Sequence, residues 1–329
     1  MSSRFLFGVV LSASLLSPLL ARAQLPPIAE GTLQYLPASE VPDSGGLSAQ
    51  VASYDAALNV PLALGDGDFL IPGLQYHIDS VSYSNEPAGF TALNAFHSVD
   101  VPVLYVHLLP DGWALSLRVW PGLAGDFDAL DSGLFHVGAL AMGTWAPRKD
   151  LVLGAGGVAS YAFGELLPLP VVYVDWKPKP WFRLETSLPF FASALFTPGE
   201  RWEFGLQGDV NGNEYAIRRG DVRERYPCKA NPIDDPSTVE DELLADPENC
   251  LDHLAYSVVA AGLVARFRVV STLWLGGFLG RTLYRRYDLK NAEGDAILGG
   301  QVELPNELAV RVGLVMRIPM ADDPARPSD

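Results

Sequence analysis

Five histidines, two cysteines and scattered carboxylates are the groups through which this 329-residue chain could do chemistry. The histidines, His77, His97, His107, His136 and His253, include no pair at metal-ligand spacing, so no metal site is expected. His97 precedes Ser98, and His77 stands near Ser80, but only the fold could assemble either pair into a base and a nucleophile. A G-x-S-x-G elbow is absent from the sequence. Gly154-Ala155-Gly156-Gly157-Val158-Ala159 fits a G-x-G-x-x-A fingerprint, with Asp175 about twenty residues further on. A dinucleotide site would need a helix after Gly156, and Gly164, Pro168 and Pro170 deny that helix its length. The glycines are instead expected in a strand whose neighbours approach closely. Asp209-Val210-Asn211-Gly212-Asn213-Glu214 starts like a calcium loop, but an EF-hand places Gly sixth and Glu twelfth, and here those are Glu214 and Gly220. A tight Asn-Gly hairpin explains the same residues. No catalytic residue and no cofactor are therefore expected, and the chain is read as a non-enzyme.

Cys228 and Cys250 bracket an acidic stretch, and in an exported chain they are expected to pair. From Asp221 to Asp252 there are ten acids, three bases and four prolines, which predicts a solvated loop closed by that disulfide. Arginines are distributed differently. Arg118, Arg183, Arg218, Arg311 and Arg317 fall in segments with strand patterning, where a charge facing lipid would cost about 2–4 kcal/mol. They are expected in a lumen or at a rim. Arg281, Arg285 and Arg286 interleave with Tyr284 and Tyr287, a grouping expected to contact lipopolysaccharide phosphates, whose geometry suits guanidinium forks.

The elements that must hold these residues have a period of two. Leu308, Val310, Val312, Leu314, Met316 and Ile318 alternate with Ala309, Arg311, Gly313, Val315 and Arg317. Trp113, Leu115, Leu117 and Val119 alternate with Ala114, Ser116 and Arg118, and Phe182 to Leu188 and Trp202 to Gln207 repeat the pattern. Short turns are expected at 65–68, 110–112, 147–150, 177–180, 211–213 and near 268–271. Longer links are expected at 85–97, 121–132, 164–168, 190–199, 221–252 and 288–300. The turn at 211–213 breaks the alternation of short and long unless Phe191 to Phe196 is itself a strand.

Ahead of the strands, Arg4, the apolar run Phe5 to Leu20 and Ala21-Arg22-Ala23 form an expected signal peptide, residues 1–23. Within the remaining chain the longest run without Asp, Glu, Lys or Arg is 16 residues, Ser132 to Pro147, too short for a helix across a bilayer. The chain is 49% hydrophobic and 19% charged with a net charge of −16, which excludes a disordered chain and argues against nucleic-acid binding.

Val119-Trp120-Pro121-Gly122-Leu123 followed by Asp126-Phe127, the Leu188-Pro189 pair and the stretch from Leu279-Gly280-Arg281 to Tyr287 resemble an uncharacterised family of predicted bacterial outer-membrane β-barrel proteins. The resemblance spans most of the chain after the signal peptide and implies a fold without an activity. The expectation is thus an all-β, antiparallel transmembrane barrel of about 12–14 strands, with short periplasmic turns and longer extracellular loops. Residues 24–45 would hold the N-terminal segment with a candidate first strand, 46–319 the barrel, and 320–329 a polar tail. Its expected setting is the Gram-negative outer membrane, with lipid, lipopolysaccharide and the barrel-assembly machinery as partners. The expected role is structural or that of a narrow passive pore for small anions. The alternatives are an outer-membrane lipid hydrolase and an exported antiparallel β-sandwich binding protein.

Overall fold

The computed structural model describes residues 26–42, 44–85, 93–161, 165–220, 222 and 250–317. The expected signal peptide, Cys228 and the 320–329 tail lie outside them. Seventeen strand segments follow one another: β1 (Ala29–Glu40), β2 (Ser48–Asn59), β3 (Leu62–Gly65), β4 (Asp68–Ser84), β5 (Ala95–Asp100), β6 (Val103–Leu108), β7 (Trp113–Gly125), β8 (Phe135–Arg148) and β9 (Leu151–Ser160). Then come β10 (Leu167–Lys179), β11 (Phe182–Leu188), β12 (Phe191–Phe196), β13 (Trp202–Ala216), β14 (His253–Arg268), β15 (Leu273–Lys290), β16 (Ala296–Glu303) and β17 (Leu308–Met316).

Three pairs of segments are single staves interrupted once. β2 and β3 both pair with β4, β5 and β6 both lie between β4 and β7, and β16 and β17 both pair with β15. Each interruption carries a proline, Pro61, Pro102 or Pro305, which has no N–H to give the ladder. Merging them leaves fourteen staves. Each is hydrogen-bonded antiparallel to its neighbours, and β1 pairs with β17 from Ala29↔Met316 to Tyr35↔Val310. That last ladder closes the sheet into a barrel and removes its edges. A two-sheet sandwich is therefore excluded.

Connections at one rim are short: 66–67, 109–112, 149–150, 180–181, 197–201 and 269–272. At the other they are longer, 41–47, 85–94, 126–134, 161–166, 217–252 and 291–295, with a two-residue exception at 189–190. Several expected links are shorter than their bounds, since 95–97 belong to β5, 121–125 to β7, 177–179 to β10, 288–290 to β15 and 296–300 to β16, and two further expectations need correction. Residues 211–213 are not a turn but part of β13, paired through Asn211↔Val258 and Asn213↔Tyr256. The supposed link 190–199 contains β12, which pairs with β11 and β13 and restores the alternation of rims. Asn and Gly read as turn residues in a half-buried sheet, whereas a polar lumen accepts Asn within a strand. Gly154 and Gly156 lie in β9, and a Cβ on Gly156 would come within 2.1 Å of the Ala141 carbonyl oxygen, so close strand approach explains these glycines.

Side chains divide by the pleat. Leu58, Leu74, Leu115, Val172, Leu206 and Leu263 point outward and are each 49–63% exposed, so the barrel wears its apolar face outside. Around the short-turn rim runs a girdle of outward aromatics. Trp113 stacks on Trp145 at 5.7 Å, Trp181 meets Phe196 at 5.9 Å, and Trp202 meets Phe267 at 4.6 Å. Inward residues are the buried ones. One cluster joins Leu36 of β1 and Val51 of β2 to Leu195 of β12, Val264 of β14 and Phe278 of β15, so facing walls touch across the lumen.

Candidate functional site

Fourteen staves enclose more space than side chains from the wall alone would fill, since eight already suffice for a packed interior. The long-loop end of this lumen is nevertheless filled. After Ala216 the chain leaves β13 and turns inward, forming a parallel bridge from Ala216 to Gly125 of β7, with β8 to β12 intervening along the wall. Gly125 permits this approach, because a Cβ there would stand 2.7 Å from the Ala216 carbonyl oxygen. The Asp126 carboxylate accepts from the backbone N–H groups of Arg218 and Arg219 at 2.8 and 3.0 Å. The Arg218 guanidinium pairs with Asp131 at 2.6 Å and Asp252 at 3.0 Å. Beneath this clasp Ile217, Val222 and Leu251 are at most 1% exposed and pack with Phe96, Tyr215, Leu254 and Tyr256. The Tyr215 hydroxyl donates to Asp79 of β4 at 2.7 Å, spanning the lumen, and Ser53 donates to the same carboxylate. Together these residues form a stopper.

Next to the stopper is a polar cavity of about 270 Å³. His77 on β4 lies between two carboxylates, with Asp55 2.5 Å from Nδ1 and Asp79 3.0 Å from Nε2. His136 on β8 meets Asp100 of β5 through Nε2 at 2.6 Å, while its buried Nδ1 has no hydrogen-bond partner. Two glycines make the floor possible. A Cβ on Gly122 would lie 2.2 Å from Asp100 Oδ1 and 2.8 Å from His136 Nε2, and one on Gly138 would lie 2.1 Å from the Trp120 ring. Glu30 and Tyr161 also line the cavity, and the Arg118 guanidinium sits 5.3 Å from the Trp120 ring centre.

The remaining luminal wall carries interleaved ion pairs. Arg183 donates to both Asp175 oxygens at 2.9 and 3.1 Å. Arg266 lies 3.4 Å from Glu203 and 3.6 Å from Glu185, and Arg311 bonds to Asp209 and to Gln34. Arg317 lies over Trp274 at 5.7 Å. Inward placement spares these charges contact with lipid, and the carboxylates of adjacent staves offset the positive charge.

Of the residues singled out from sequence, Arg118, Arg183, Arg311 and Arg317 lie on the inner wall, and Arg218 closes the long-loop mouth. The group at the end of β15 is divided. Arg281, Tyr284 and Arg286 face outward, whereas the irregularity between Val259 and Ala260 of β14 turns Arg285 and Tyr287 inward. Arg285 is 1% exposed and donates to Ser39 at 2.7 Å, so it offers nothing to a lipid headgroup. Arg281 donates to the Asn306 carbonyl and Arg286 to Asp288. His97 and Ser98 are adjacent strand residues and point to opposite faces, as do His77 and Ser80, so neither makes a nucleophile and base. His97 bonds instead to Tyr76 at 2.7 Å, and Ser98 to Asp100 at 3.0 Å. Among the described residues no group of three or more His, Cys, Asp and Glu is disposed to hold a metal ion. Most acids lie outside the strand segments, but Glu30, Asp55, Asp79, Asp100, Asp175, Glu185, Glu203 and Asp209 are strand residues. Sequence reasoning passed over these carboxylates because each is solitary in the chain, and only the register of neighbouring staves brings them to histidine and arginine.

A family model described as "Domain of unknown function (DUF6268)" matches residues 21–317. No curated protein sequence matches the chain. Among solved structures, an outer membrane channel from Pseudomonas putida F1 is similar over 89% of this chain and 96% of its own, with 12% identity and a TM-score of 0.41. A deltaS2 mutant of the monoaromatic hydrocarbon channel TodX is similar over 89% and 91%, with 9% identity and a TM-score of 0.40. The NanC porin is similar over 88% and 99%, with 11% identity and a TM-score of 0.33. Likenesses at this level carry no solute over to this chain.

Proposed function

The chain belongs to the DUF6268 family, a domain of unknown function, and from its closed barrel and the residues lining it we propose a passive outer-membrane channel whose outer mouth is stoppered at rest. The observation that carries the reading is the inversion of the barrel. Apolar side chains more than a third exposed cover its outside, while carboxylates, arginines and histidines line its inside. In water such an exterior would far exceed the few hundred Å² of apolar patch that a monomer tolerates. In a bilayer it is the required surface, with the aromatic girdle at the headgroup level. Short turns then face the periplasm and longer loops the exterior.

A small-anion preference, expected from arginines in the strands, is not part of this reading, because Arg183, Arg266 and Arg311 each face carboxylates. Conduction requires the Ile217 to Val222 segment to move, and Arg218 holds that segment through Asp131 and Asp252. Planar-bilayer recording of the purified protein and of Arg218→Ala tests the proposal. The expected result is small or rare conductance steps for the native chain and larger or more frequent ones for the variant. No steps from either protein at any voltage would reject the channel.

A further inference from the structure

The cavity beside the stopper has a chemistry of its own. Its lining presents the carboxylates of Glu30, Asp55 and Asp100, together with the Trp120 and Tyr161 rings. His136 adds a polar atom that nothing in the wall satisfies. Its side chain is 10% exposed, Nε2 is committed to Asp100, and Nδ1 is buried without a hydrogen-bond partner. In the tautomer that donates Nε2–H to the Asp100 carboxylate, Nδ1 carries the lone pair and is an unused acceptor. Buried polar atoms are ordinarily paired, so an orphan in a residue that lines a cavity points to a donor that belongs beside it.

Every unspent group in this set therefore asks for a donor or a positive charge. The local countercharges do not exhaust it. Arg118 sits over Trp120 near Glu30 and Asp100, Arg317 also bears on Glu30, and His77 lies between Asp55 and Asp79, so four carboxylates face three cations around the cavity. A volume of about 270 Å³ is slightly below the range for drug-sized ligands, so the guest is a small molecule. Aromatic faces favour an organic cation over a hydrated metal ion, and the described carboxylates and histidines are not disposed as a metal site.

We propose that this luminal cavity binds small organic ammonium or guanidinium cations, with Glu30 and Asp100 as the charge partners and the His136 ring and Trp120 face fixing the guest. The proposal deepens the channel reading, on which it rests for the route by which the solute arrives. Binding is measurable without conduction. Calorimetric titration of the detergent-solubilised full chain with butane-1,4-diammonium chloride is expected to show saturable uptake that weakens with salt, while sodium butanoate shows none. Glu30→Gln and Asp100→Asn are each expected to weaken the diammonium about tenfold, the loss of one charge-assisted contact. Glu200→Gln, in the exposed turn between β12 and β13, is expected to leave it unchanged. Retention of heat-modifiable gel mobility shows that each variant has folded, and if Asp100→Asn fails that check, His136→Gln replaces it with the same expected direction. Absent binding, equal binding of butanoate, or unchanged affinity in the folded luminal variants would overturn the proposal. A silent bilayer with intact diammonium binding would reject the channel and uphold the site.

Discussion

Tyr215 shows how single residues hold this interior together. Its ring is fully buried between Phe96 and Tyr256, and its hydroxyl reaches from β13 to Asp79 on β4. Asp79 also receives Ser53 and faces His77, so its charge is met from three directions. Removing one donor from a buried carboxylate costs about 1–3 kcal/mol, because the lost partner is not replaced by water. Tyr215→Phe keeps the ring and deletes only that donor. The expected outcome is a folded barrel whose urea unfolding midpoint falls by an amount matching that cost, followed by tryptophan fluorescence. An unchanged midpoint would show that the bond across the lumen contributes nothing. No pattern in the sequence marks this pair, which lies 136 positions apart along the chain. Arg311, by contrast, was legible as luminal because Val310 and Val312 on either side of it claim the outer face. Its partner Asp209 was not, since pairing depends on which staves lie near each other.

Among elements, β13 is the most informative, because it carries the lipid face, the polar lumen and the chain that becomes the stopper. Leu206 and Gln207 are consecutive and point to opposite sides. Leu206 is 63% exposed on the outer wall, while Gln207 accepts from Arg266 at 3.3 Å inside. Leu206→Arg places a charge against lipid at a cost of about 2–4 kcal/mol if it lies near the midplane. Gln207→Arg places the same charge inside, beside Asp209 though also facing Arg266. The expected outcome is lower recovery of folded barrel for Leu206→Arg than for Gln207→Arg, measured as the heat-modifiable fraction of extracted membranes. The reverse order would contradict the assignment of faces. The strand β17 and the first half of β7, Trp113 to Val119, could be drawn from sequence because greasy and mixed positions alternate there, whereas Pro121 and Gly122 made the rest of β7 read as a loop. The far half of β13 could not. From Asp209 to Asn213 the inward positions are polar and Gly212 lies outward, which removes the contrast on which a period-two reading depends. The stopper was hidden for a different reason. Ile217 and Val222 are apolar residues at the edge of an acid-rich stretch, and their burial depends on β7 lying opposite.

For the whole molecule, charge is arranged by topology. The net −16 of the chain includes an acid-rich stretch beyond β13, while the strands hold opposite charges face to face across adjacent staves. The closed ladder from β1 to β17 satisfies the backbone groups within the protein, while the apolar outer wall and the aromatic girdle suit the hydrocarbon and headgroup levels of a bilayer. The low charged fraction of 19% is a property of that wall. The most direct measurement of this account is the gel mobility of the native chain extracted from an outer-membrane fraction in mild detergent, compared before and after boiling. A membrane-spanning closed barrel predicts recovery in that fraction and faster migration of the unboiled, compact form. Recovery in the soluble fraction with identical mobility before and after boiling would contradict it.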